Sequence, residues 1–276
     1  MRRKKYSLIL TTIVLLVVAV VCSGCGKKLD EPIFVKNLVC SSDMDAEISF
    51  VTNKKYERYV TDIEIPNMPD GMHVDFYDEE IEDWKKYDIH VVNFGVGAKE
   101  LSEAGGLKED FVFHEVIVKW NDGNTTSADI GTIHMTASSD KAPITPTDSA
   151  SDVIDSKYVR YEESYIAQAD LQITGLQIPY LEMLPNAFSE VSVNDQMISG
   201  DSKSNPIHVK KGETLKVSYT MDETASNGYG RIFLEALLVG SVESGSEFEA
   251  PIIINGFQRS HRATIDWVEK EIEGIK

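Results

Sequence analysis

Side chains able to do acid–base, nucleophilic or metal chemistry occur in this sequence, but few are spaced to act together. The histidines, His73, His90, His114, His134, His208 and His261, form no His-Glu-x-x-His pattern and no closely spaced His and Cys set, so no metal site is expected. His90, His114 and His134 sit in strand-like runs, where a half-buried or surface ring on a sheet is the ordinary role. Nucleophile signatures are missing too: there is no Gly-x-Ser-x-Gly and no Ser-x-x-Lys with its usual partners. Beyond residue 25 the only thiol is Cys40. It follows Phe34, Val35, Leu38 and Val39 in an apolar run, which fits a small buried side chain, a redox or intermolecular role being the alternative. No enzyme activity and no cofactor are therefore expected.

The densest charge cluster is Asp78, Glu79, Glu80, Glu82 and Asp83. It lacks the alternating ligands and turn glycine of a calcium loop and reads as a solvated acidic face, as does the shorter run at residues 43–47. The same segment carries Phe76, Tyr77, Trp84 and Tyr87. Aromatic faces beside carboxylates stack on sugars and hydrogen-bond to them, which makes Tyr77, Trp84 and Tyr87 the candidate ligand-binding residues; packing into a core is the alternative. Asn227, Gly228, Tyr229 and Gly230 lack the lysine and the following helix of a phosphate cradle, and read as turn residues before a strand. The apolar segment 181–188 fits either a partner contact or a crossover that covers a core.

The elements that must position these residues have a period of two. Ala46, Ile48 and Phe50 alternate with polar neighbours, and residues 89–94 form a second apolar run. Residues 112–120 and 130–135 flank Asn121-Asp122-Gly123-Asn124, a hairpin signal because glycine accepts the positive φ of a tight turn. Further on, Leu215, Val217 and Tyr219 alternate, and residues 233–239 and 251–254 flank a Gly/Ser-rich connection. Helical turns are expected only at residues 79–84 and 102–107, and a short terminal helix at 266–275. The pattern predicts an all-β chain of two antiparallel β-sandwich domains, immunoglobulin-like, in tandem over residues 29–138 and 157–276. Residues 139–156, rich in Ser, Thr, Asp and Pro, are expected to be a semi-stiff linker. Both halves have an Ile-Pro near the start (Ile65-Pro66, Ile178-Pro179) and a closing hairpin; duplication and coincidence both remain open.

Composition narrows the partners. With 45 Asp+Glu against 27 Lys+Arg the formal net charge is −18, and the one tight basic cluster is Arg2-Arg3-Lys4-Lys5, so no nucleic acid is expected. That cluster precedes an apolar stretch at residues 8–21, the layout of a secretory signal peptide. Those residues make about 21 Å of helix, short of the roughly 30 Å that a spanning helix crosses. The stretch ends in Cys22-Ser23-Gly24-Cys25-Gly26, which resembles the lipobox of bacterial lipoproteins, with Cys22 standing where leucine is usual. The resemblance covers the first 26 residues. It implies cleavage after residue 24, a diacylglyceryl group on Cys25, a tether over residues 25–28, and a place on the outer face of the cytoplasmic membrane. Residues 1–25 carry four basic and no acidic groups, so the mature chain holds 23 Lys+Arg against 45 Asp+Glu, a net −22 that disfavours contact with acidic headgroups. With Cys25 acylated only Cys40 remains a thiol, so packed cores rather than disulfides must hold the fold. Membrane attachment by lipid, with an envelope protein or a surface polymer as partner, is the expectation: a non-enzymatic binding or scaffold module, or else a carbohydrate-binding or carbohydrate-active surface protein. The strand and helix alternation of a two-lobed solute receptor is missing.

Overall fold

Alternating apolar residues become strands along nearly the whole chain. The computed structural model describes residues 28–84, 86–98, 106–137, 142–155, 157–198, 205–258 and 261–273. The first half supplies β1 (Ile33–Phe34), β2 (Asn37–Ser41), β3 (Asp45–Asn53), β4 (Val60–Glu64), β5 (Met72–Trp84), β6 (Tyr87–Ala98), β7 (Phe111–Trp120) and β8 (Thr125–Met135). The second supplies β9 (Ile144–Val153), β10 (Tyr158–Ala167), β11 (Leu171–Gln177), β12 (Phe188–Val193), β13 (Gln196–Met197), β14 (Ile207–Val209), β15 (Thr214–Asp222), β16 (Arg231–Val242) and β17 (Glu247–Gln258), then helix α1 (His261–Glu273). The fold is all-β, built as two sandwiches in sequence.

In the first sandwich the sheet β1-β3-β6-β5 faces the strands β4, β7 and β8. Ile48 and Phe50 of β3 and Phe94 of β6 meet Val116, Val118 and Trp120 of β7 and Ile130 of β8. Trp120 stands edge-on to Phe50, with centroids 5.6 Å apart, and its indole Nε1 donates to Thr126 Oγ1 over 2.8 Å, so the largest core side chain is also polar-satisfied. In the second sandwich the sheet β13-β12-β15-β10-β9 faces β11, β16 and β17. Leu215, Val217 and Tyr219 pack there with Ile173, Leu234, Leu238 and Ile252.

One strand joins the two. β2 pairs in parallel with β8 on one side and with the first residues of β16 on the other, so a single sheet runs from β4 through β7, β8, β2 and β16 to β11 and β14. The pleat sends successive side chains to opposite faces. Leu38 and Cys40 therefore enter the second core while Val39 packs against the first. A strand covered on both faces reads as a continuous apolar run, which is what Leu38-Val39-Cys40 is.

Three local expectations change. Residues 144–153, read as a spacer, form β9 at the edge of the five-stranded sheet, paired antiparallel with β10. After Ile144, which is buried in the second core, the strand is exposed on both faces and needs no apolar side chain, and Pro146, which has no N–H to give, sits at the irregularity in the ladder where Thr147 Oγ1 donates to Ser164 O. Residues 79–84, read as a helical turn, belong to β5, whose long ladder with β6 outweighs a weak local preference. α1 begins at His261, five residues before the expected start, and buries Ile265 and Val268 on Val51, Tyr87 and Ile89, so the last element of the chain covers the outer face of the first sandwich. Of the turn expected at 102–107, residues 102–105 lie outside the described residues; Leu107 bridges to Ala137.

Candidate functional site

Where the shared strand ends, the two halves enclose a cavity of about 470 Å³. β2 contributes Cys40, β8 contributes His134, β16 contributes Glu235 and Leu237, and the crossover after β11 contributes Ile178 and Pro179, with Asp110 at the mouth of β7. A cleft between packed units, apolar in its walls and with a few convergent polar groups, is where small ligands usually bind.

His134 is the centre of the polar set. Its Nε2 lies 2.9 Å from Asp110 Oδ2, and the other carboxylate oxygen accepts the Ala137 N–H over 2.8 Å. That backbone N–H, with the His134 ring assisting, holds the Asp110 carboxyl below its ordinary range, against the opposing effect of burial. An ionised carboxylate only accepts, so Nε2 carries the proton and Nδ1 is left as an acceptor. Tyr180 O–H reaches Nδ1 over 2.9 Å, and Cys40 Sγ lies 3.5 Å from the same atom. Burial pushes the Tyr180 hydroxyl up, and the neighbouring Cys40 and Asp110 add to it. On the opposite wall Glu235 accepts the Ser42 N–H at 2.7 Å and the Ser42 hydroxyl at 3.0 Å.

Cys, His and Asp in this order resemble the relay that activates a thiol nucleophile. The electrostatics run the other way. Burial, then the charges of Glu235 and Asp110, push the Cys40 thiol up to about 12, so it stays protonated at neutral pH and serves as a weak donor to an already occupied imidazole. What the cavity offers is a fixed, hydrogen-bonded wall. Among the described residues no three His, Cys, Asp or Glu side chains are grouped to hold a metal ion.

The residues singled out from sequence fall elsewhere. Tyr87 is buried beneath α1, and Trp84, its direct cross-strand partner, packs in the same cluster. Tyr77 lies seven residues up β5 at a bulge, 54% exposed, with its hydroxyl donating to Asp45 Oδ1 over 3.0 Å. At a strand rise of 3.3 Å that is about 23 Å from Trp84. The three do not form one platform, because α1 covers the end of the hairpin that carries two of them. Cys25 lies outside the described residues. His90 is buried in the first core, 2.6 Å from Glu79 Oε1 and 2.9 Å from Thr52 Oγ1. The residues that sequence reasoning missed, Asp110, Tyr180 and Glu235, come from three separate loops and strands; the only signal was a histidine in a strand with no partner nearby in sequence.

No family model matches the chain, and no curated protein does. Solved structures to which it bears some likeness include a protein of unknown function from Porphyromonas gingivalis W83, at 8% identity and TM-score 0.24 over 82% of this chain and 99% of that one. A chicken TCR aligns at 12% identity and TM-score 0.20 over 82% and 99% of the two chains. The Enterococcus faecalis MSCRAMM ACE, which binds its ligands by the collagen hug model, aligns at 12% and 0.21 over 85% and 97%. Scores at this level assign neither family nor function.

Proposed function

We propose that the chain is a lipid-anchored extracytoplasmic lipoprotein that acts as a non-enzymatic binding module, holding a partner group in the cavity beside β2. The lipobox resemblance at residues 22–26 supports the anchor and the outer face of the cytoplasmic membrane as its place. No helix among the described residues is long and apolar enough to cross a membrane. The observation that carries the binding role is the 470 Å³ cavity at the shared strand, together with a Cys40 thiol held protonated beside its histidine. A site walled by strands from both halves is rigid, which favours binding of a preformed group at low entropic cost.

The test has two arms. Metabolic labelling with an alkyne fatty acid is expected to mark the wild-type chain and to be lost in Cys25→Ala; equal labelling of both sinks the anchor. In-cell crosslinking and mass spectrometry then compare wild type with Leu237→Trp, which fills the cavity. Loss of a recovered envelope partner in Leu237→Trp supports binding at the cavity, whereas an unchanged set of crosslinked partners places the contact elsewhere.

A further inference from the structure

A second concavity, of about 730 Å³, runs between α1, the outer faces of β7 and β8, and the turn at residues 227–229. Its walls differ in kind from those of the junction cavity. Trp267 on α1 and Tyr229 on the turn line it from separate elements, with His114, Glu115, Asp129 and Asn227 among its other lining residues. The floor carries a distortion of the ladder. β7 and β8 lose register between Phe113 and Glu115, where His114 alone stands opposite residues 130–132. Gly131 at this bulge has φ +86°, and a Cβ there would lie 2.2 Å from the Asn37 carbonyl oxygen, so only glycine fits. Bulges of this sort re-aim the neighbouring side chains.

Three polar groups in the groove, His114, Glu115 and Asn227, are pinned by one end and leave an acceptor at the other. His114 Nδ1 lies 3.0 Å from Gly131 O, which only accepts, and 3.2 Å from Thr132 Oγ1, so the neutral ring carries its proton on Nδ1 and offers Nε2 as an acceptor. Ser127 Oγ donates to Glu115 Oε1 over 2.7 Å, leaving Oε2. Asn227 Nδ2 donates to Met183 O over 3.1 Å, leaving Oδ1. The single ammonium, Lys36, is neutralised by Asp129 at 2.5 Å. Oriented acceptors between two aromatic side chains suit a ligand with hydroxyl donors on its edges and C–H faces for the rings; carboxylates disfavour a phosphate or other anion. The volume falls within the usual range for ligand sites, about 300–1,000 Å³.

We propose that this groove binds a neutral, hydroxyl-rich oligosaccharide. The inference goes beyond the proposed function: it concerns a second site and depends neither on the anchor nor on the junction cavity. The test is calorimetric titration of the full chain, in a zwitterionic detergent free of sugar headgroups, with chitotriose, maltotriose and cellotriose, and with spermidine as a cationic control. Saturable binding of at least one trisaccharide, insensitive to salt, is expected. Trp267→Ala should weaken it at least about tenfold. Glu115→Ala, at an exposed strand position, should weaken it too, while Trp84→Phe and Cys25→Ala should leave it unchanged. Absence of heat with all three sugars overturns the proposal. So does binding that survives both Trp267→Ala and Glu115→Ala, or a salt-sensitive response to spermidine alone, which marks a cation site.

Discussion

Cys40 lies 3.5 Å from an imidazole that Asp110 orients, an arrangement that in an open, electropositive site makes a thiolate. Here the same geometry sits in the second core, and burial dominates. The consequence for stability has a definite sign. In the unfolded chain the thiol titrates near 9.0, and in the folded chain near 12, so between those pH values only the unfolded state ionises. Stability that the protonated thiol allows is full below pH 9 and declines as pH rises, by about 1.4 kcal/mol per pH unit through that window. Tyr165, raised by burial from 10.0 to about 12, acts in the same sense and is common to wild type and variant. Urea unfolding of wild type and Cys40→Ala from pH 8 to 11.5 should therefore show a stability gap that narrows above pH 9; a gap of constant size refutes the shifted thiol. Burial of Cys40 was legible in its apolar neighbours. Its partners were not, since His134 is 94 residues away and nothing in either local pattern points to the other. The aromatic patch misled for a related reason: nothing local shows that Trp84 and Tyr87 face each other across a hairpin, or that a helix about 180 residues on covers them.

Among elements, the hairpins were readable because their signals are local. Asn121-Asp122-Gly123-Asn124 turns β7 into β8, with Gly123 at φ +82°, and β16 returns as β17 through a turn in which Gly245 has φ +88°. Pro251 is accommodated because, among the described residues, β17 pairs with β16 alone. β2 was not readable as a joint, since both its pairings are parallel and join segments far apart in sequence. β9 was misread because a polar, proline-containing run looks the same as a spacer or as a solvated edge strand; only its backbone pairing with β10 separates the two. That difference is measurable. Amides of residues 145–153 that donate to β10 should exchange with deuterium at least about tenfold slower than the intrinsic rate, equal to ~1.4 kcal/mol of local opening. Intrinsic exchange along the whole segment fits a spacer and contradicts the strand.

For the whole molecule, tandem sandwiches joined like beads unfold independently, whereas these share a sheet. β2 gives Leu38 and Cys40 to one core and Val39 to the other, and Arg231 of β16 reaches Glu47 of β3 at 3.2 Å. α1, reached only after the last strand of the second sandwich, closes over the first, where Lys86 meets Glu269 at 2.8 Å. The exposed ion pairs contribute little; the coupling lies in the apolar contacts and in a ladder that cannot break at β2 without stripping main-chain bonds from both halves. Scanning calorimetry should accordingly show one transition, with van't Hoff and calorimetric enthalpies equal. Leu38→Ala, a fully buried leucine in the second core, should cost about 2–5 kcal/mol and lower that single transition as a unit. If Leu38→Ala instead splits the trace and leaves one component at the wild-type temperature, the halves fold independently and the shared strand is a contact rather than a joint. The rigidity on which the junction cavity depends would then be lost with it.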